Sequence, residues 1–221
     1  MALVVMLAWY VWLPAAPLQN PEFCMPGSVQ TPEQMAKNAA ALLKEPESTR
    51  KMAALLQQII RDADPMRNPF RSVEQVALLR EKIARTTDFE QLLDLKMQLI
   101  QQVLQTGLAD EALKENEDII RQLRQYAPQD TKLLPQLLLM SALCHLRMGE
   151  QENCLLNHNG DSCLFPIQGG GVHQLQRGSR GAITVLTELL QRSPGDLQAR
   201  WLLNIAYMTL GEYPDKVPAK W

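Results

Sequence analysis

Aromatic residues are scarce in this chain, at 5% of 221 residues, while leucine, alanine, glutamine and methionine abound. That scarcity argues against a sheet-rich fold and favours helices. Neither sign of charge gathers into a long block, and the net charge is -2. The polycationic footprint of a nucleic-acid binder is therefore missing. The charged cluster Lys114–Asp118 falls on a helical pattern and reads as a solvated face. The glycines at 169–171 are preceded by no strand and followed by no Gly-Lys-Ser/Thr, which excludes a phosphate-binding loop. No Cys-x-x-Cys-His occurs, which excludes covalent c-type haem.

Charge is absent from the first 17 residues, MALVVMLAWYVWLPAAP. The apolar run before Pro14 is too short for a membrane-spanning helix and suits the core of a signal peptide. The basic flank of a signal peptide is missing, and Ala-Ala before Pro17 makes a poor cleavage site. Residues 1–17 are expected to be a signal peptide or signal anchor, with a buried terminal helix as the alternative. Export would permit disulfides and a periplasmic or extracellular location, membrane-anchored if the segment is retained. Residues 18–30 are proline-rich and aperiodic, a linker.

Beyond residue 30 the pattern is helical. Thr31, Ser72 and Thr87 each stand three residues before a Gln or Glu, the arrangement of a capping box. Amphipathic stretches are expected at 32–44, 48–63, 73–85 and 88–106, with a two-proline loop at Asp64–Arg71. Residues 31–87 form N-terminal helices. From residue 88 the helices fall into pairs: 90–106 with 112–127, 131–148 with 182–192, and 197–210 unpaired.

Ala182, Leu186 and Pro194, then Leu203, Tyr207, Gly211 and Tyr213, have the spacing of consecutive tetratricopeptide helices. Alanine there permits close helix approach, glycine a tight turn, and tyrosine fills the gap between hairpins. Gly107 and Ala112 also match, while Pro128 comes one helical turn late. The alternative is an ordinary helical bundle. Further, GEQENC, DSCLFPI, GGGVH, GSRGAI and RWLLNIAYMTLGEYPDKVP resemble the N-terminal helical region of bacterial exported proteins with FG-GAP (VCBS-type) β-propellers and an ASPIC/UnbV domain. The resemblance covers residues 88–221 and is strongest at 149–217. It implies a helical module that docks a propeller, whose own calcium sites and activity have no counterpart in these residues.

Residues 150–180 interrupt the second pair as an insertion, and insertions at hairpin turns often carry function. It contains Cys154, His158, Cys163 and His173. In an oxidising compartment Cys154 and Cys163 are expected to pair, closing a short loop and stabilising by about 2–3 kcal/mol. Cys24 and Cys144 stay unpaired, and Cys144 reads as a small buried residue. A metal site adding His158 and His173 is the weaker alternative, because the spacing fits no zinc motif. Asn157–Asp161 reads as a turn rather than a calcium loop. His173 near Cys163 lacks a third partner for nucleophilic catalysis. The triple glycine is expected to leave His173 on a flexible arm, with His158 on a rigid lobe.

The sequence therefore predicts an all-α chain: an export segment, a linker, N-terminal helices, then a tetratricopeptide-like α-solenoid with a disulfide-stapled insertion. Such arrays bind proteins or peptides on the face of their first helices, here Lys96, Gln98, Leu138, His145, Asn204 and Tyr207. The expected partner is a propeller domain or an envelope protein, and no cofactor or enzymatic activity is expected. A self-assembling subunit is the structural alternative, because helix 197–210 lacks a second helix.

Overall fold

The computed structural model describes residues 33, 36–37, 40–41, 44–127, 132–162 and 164–221. The export segment, the linker, the Thr31 cap, Cys24, Pro128 and Cys163 lie outside the described residues. Two compact units divide at Ala54 and Leu55. In the first, the described residues between 33 and 41 are helical, and α1 (Glu47–Asp62) begins. No residue of α1 is buried.

The second unit contains no strand among its described residues. Its helices are α2 (Ser72–Arg85), α3 (Phe89–Gln105), α4 (Ala109–Tyr126), α5 (Leu133–Glu150), α6 (Arg177–Arg192) and α7 (Leu197–Thr209). Each packs chiefly on its neighbours in the chain, most extensively α5 on α6. One apolar core runs through these contacts, from Leu79 and Ile100 through Leu137 and Ala142 to Leu186 and Leu203. Asn116 is a polar exception, fully buried, its amide donating to the Leu137 carbonyl (2.8 Å) and Ser141 Oγ (2.7 Å). A buried amide needs such partners, and here they tie α4 to α5.

Helix starts depart from the capping-box reading. Ser72 is itself the first residue of α2 and donates its hydroxyl proton across to Gln105 Oε1 on α3, 2.9 Å away. The cap of α3 is Asp88 rather than Thr87: its carboxylate accepts from the Gln91 N–H at 2.8 Å. An aspartate also offsets the positive end of the helix, which a threonine does not. Asp196 caps α7 in the same way, accepting from Ala199 N–H. The Asp64–Arg71 loop holds, with one 3-10 turn at Pro65–Arg67. Gly107 and Gly211 follow α3 and α7 with positive φ, 87° and 66°, which glycine adopts at little cost.

Two corrections concern glycines. The sequence reading stops a helix at Gly149, yet α5 runs on to Glu150 and into a π-helical turn, Gln151–Leu155. The same reading starts the second helix near Ala182, whereas α6 begins at Arg177, with Gly178 and Gly181 inside it. The reason is steric. A Cβ on Gly178 would sit 2.4 Å from the Gly149 nitrogen and 2.5 Å from the His145 carbonyl, and one on Gly181 would strike the His145 ring. These glycines let α5 and α6 touch backbone to backbone, so the signal read as a loop is a helix crossing.

Candidate functional site

The π-helical turn and residues 156–176 form the insertion, and two buried polar residues fasten it to the helices. Asn153, 8% exposed, donates to the Gly149 carbonyl and the Leu175 carbonyl, both at 2.9 Å. Its own side-chain oxygen accepts from the Leu175 N–H. One amide thus locks the exit of the insertion to its return. His173 is the second fastener, at 3% exposure. Its backbone N–H donates to the Thr209 carbonyl on α7 at 2.8 Å.

The His173 ring is held on both sides. Nδ1 lies 3.0 Å from Ser179 Oγ on α6, and Nε2 lies 3.6 Å from Cys154 Sγ. The Thr209 hydroxyl is 2.8 Å from the Ala206 carbonyl and 2.7 Å from Ser179 Oγ. A carbonyl only accepts, so Thr209 gives its proton there and receives that of Ser179. Ser179 then accepts from the imidazole, which assigns the neutral tautomer with Nδ1–H and leaves the Nε2 lone pair toward Cys154. Burial lowers the His173 pKa, opposed by the Glu152 carboxylate. This Cys–His–Ser–Thr succession has the residue types of a nucleophilic site, but all four residues are buried. Its geometry is that of a fastening.

The glycine run is correspondingly not a flexible arm. Gly169–Gly171 form a 3-10 turn, the Gly170 N–H donates to the Asp161 carboxylate at 3.0 Å, and Gly171 is buried. A Cβ on Gly171 would come 2.4 Å from the Asp161 carbonyl. Asn159 completes the turn, donating to the Gly170 carbonyl and accepting from Asp161 N–H. The Asn-Gly-Asp stretch is thus a turn whose side chains are consumed by backbone groups. His158 is exposed, whereas Cys154 and His173 are buried. Among the described residues no group of three or more His, Cys, Asp or Glu is placed to hold a metal. No disulfide joins two described residues, and the partner expected for Cys154, Cys163, lies outside them. Cys144 is free and buried, and burial pushes its thiol up to about 12.

The six residues expected on the binding face scatter in depth. Leu138 is 2% exposed, a core residue that offers no surface. His145 is half-buried over Gly181, its Nδ1 without a hydrogen-bond partner. Burial and the nearby Arg177 lower its pKa, with Asp110 opposing. Lys96 and Gln98 lie at the α3 surface, Gln98 donating to Asp94 at 2.8 Å. Asn204 donates to the Arg200 carbonyl of its own helix, and Tyr207 packs on the core. Arg177 heads α6 by forking onto Asp110 at 2.8 and 2.9 Å and reaching Glu152 at 2.5 Å. That pairing holds the Asp110 carboxyl below its usual range.

Open apolar surface collects on the insertion: Leu155, Leu156, Leu164, Phe165 and Leu175 are each 44–73% exposed. Beside it, residues 166–172 and the end of α7 border a cleft of about 400 Å³ that includes Ile167, Val172, Met208 and Tyr213. Sequence reasoning missed Asn153, Ser179 and Thr209. They are short polar residues on helical pattern, and only the fold reveals what they bond. No family model, curated protein or solved structure matches the chain.

Proposed function

We propose that the chain is a protein- or peptide-binding scaffold of the tetratricopeptide type, part of an exported bacterial protein, whose partner is a propeller domain or another envelope protein. The observation that supports this most is the packing of each helix from α2 to α7 chiefly on its chain neighbours. Such serial packing leaves one face of alternate helices open along the row. The usable binding residues are then Lys96, Gln98, Asn204 and Tyr207, with the His145 edge. The insertion adds an apolar lobe, closed by a Cys154–Cys163 disulfide in this reading. Among the described residues no helix is long and apolar enough to cross a membrane, so any anchoring falls to the N-terminal segment.

The test is peptide-display selection against the purified chain, with bound peptides mapped by NMR. Shifts concentrated on α3, α5 and α7, and binding weakened at least tenfold by Asn204→Ala with Tyr207→Ala, would support the scaffold. Selected peptides that map to none of these helices would contradict it. A self-assembly reading is favoured by one feature: Leu197 and Trp201, one turn apart on α7, are 72% and 56% exposed. Light scattering over a concentration series separates the two, since a scaffold stays monomeric.

A further inference from the structure

The insertion leaves the helices through Asn153 and comes back through His173, and only the second of these anchors can change its charge. Four elements meet at His173. Cys154 approaches Nε2 from the π-helical turn, and Ser179 of α6 faces Nδ1. Gly149 of α5 lies against the ring, where an added Cβ would come 3.3 Å from Nδ1. Thr209 of α7 receives the backbone N–H. Apart from the Cys154 sulfur, these are groups that do not titrate.

The charged groups nearby are engaged by one another, except that Glu152 Oε2 is buried without a hydrogen-bond partner. Glu152 of the π-helical turn is the one whose field reaches the ring, and its carboxylate accepts from Arg177 of α6. Arg177 is further held by Asp110 of α4. Arg180 of α6 is turned toward Glu212, beyond the end of α7. A proton arriving at His173 enters at Nε2, against sulfur, and meets no carboxylate in contact. A buried charge without a hydrogen-bonded counter-ion is costly, and the inexpensive escape is to expose the ring to water. Exposing it breaks the bond to Thr209 and the packing on Gly149. It leaves Leu186, Leu189, Leu190 and Leu203 untouched, because these bury against the other helices.

We propose that His173 is an acid-sensitive clasp: protonation of its ring detaches the described residues of 156–162 and 164–174 from α5, α6 and α7 while the helices remain packed. Asn153 does not titrate and keeps Leu175 in place, so the opening is confined to the lobe. A neutral clasp at neutral pH and an open lobe under acid is the usual logic of a buried histidine switch. The inference concerns the attachment of the lobe and holds whatever the array binds.

The experiment is an NMR titration of the intact chain from pH 8 to 5. It follows the His173 ring proton, the amides of residues 168–174, and the methyls of Leu186 and Leu203. The expected result is a His173 midpoint below the ordinary 6.5, with the lobe amides moving at the same midpoint and the core methyls unchanged. In His173→Gln the lobe amides should lose that transition, and in His145→Gln they should keep it. The clasp is overturned if the lobe transition survives in His173→Gln, or if His173 titrates in the wild-type chain without the lobe moving. It is equally overturned if the core methyls shift at the same midpoint, which would mean global unfolding. The last two readouts need only the wild-type protein, so they decide the matter even if a variant does not fold.

Discussion

Helices α1 and α6 are both 16 residues long and both strongly amphipathic, yet one buries nothing and the other six residues. In α1, Met52, Leu55, Leu56, Ile59 and Ile60 form an apolar stripe, each 51–55% exposed. In α6, Ala182, Leu186, Leu189 and Leu190 are each 0% exposed. The apolar stripe is what they share. What α6 has in addition is a row of small residues, Gly178, Ser179, Gly181 and Ala182, on the side where α5 crosses. Period-3.6 patterning creates a face to bury, but small residues set how near a partner backbone can come. Amphipathic patterning alone therefore does not tell a packed helix from an open one.

Four tests by substitution sharpen this contrast. The largest effect is expected for Gly178→Val, because its side chain would meet the Gly149 and His145 backbone, which cannot rotate away. The expected loss is about 3 kcal/mol or more in chemical denaturation, whereas a nearly unchanged midpoint would break the account of the crossing. Next comes a matched pair of truncations. Leu186→Ala should cost about 2–5 kcal/mol by leaving a cavity. Ile59→Ala on the open α1 face should stay within about 0.5 kcal/mol, and equal costs in thermal melts would erase the distinction between the helices.

Asn153→Ala tests the neutral fastener. It leaves the Leu175 N–H and two carbonyls without their partner, and about 1–3 kcal/mol should be lost. Limited proteolysis should then cut between 156 and 174 before it cuts any helix of the array. Smaller still, among the polar changes, is Asp110→Asn, which removes one arm of the Arg177 fork at a pair whose side chains are 57% and 66% exposed. Water and salt screen such a pair, so under about 1 kcal/mol is expected, shrinking further in high salt.

Acid stability follows from the same positions. His145 and His173 both have pKa values below the ordinary 6.5 in the folded chain, chiefly through burial. The folded state then binds fewer protons than the unfolded one as pH falls below 6.5. Stability is full above that pH and declines as pH falls through the lowered folded values. Asp110 and Glu212 are lowered too, each mainly by a hydrogen bond from arginine, so their contribution is lost later, as pH falls through the carboxylate range. A denaturation series by pH should therefore show two successive declines.

Much of the helical layout was legible in the sequence. The Asp64–Arg71 break, the glycine ends at 107 and 211, and the buried Ala182 and Leu186 all stand where local chemistry put them. Local rules failed where a residue's partner is distant in sequence. Gly149 looks like a helix end, Gly178 like part of the insertion and the 169–171 run like flexibility because glycine is read against its neighbours, while their real constraint is another part of the chain packed on them. The fastening of the insertion was illegible for the same reason. His173 depends on Ser179 and on the far more distant Thr209, and nothing in the residue types announces those pairings. The depth of the candidate face also escaped, since a first-helix register placed Leu138 at a surface that the core in fact occupies.

The insertion is fastened to the packed helices through Asn153 and His173, whereas α1 presents an open face. Amide hydrogen exchange at neutral pH tests both halves in one experiment, because protection tracks the free energy of local opening. The account predicts that residues 171–176, including the His173 amide bonded to Thr209, exchange as slowly as the ends of α6, and that residues 55–60 exchange orders of magnitude faster. Exchange across 171–176 as fast as in α1 would contradict it.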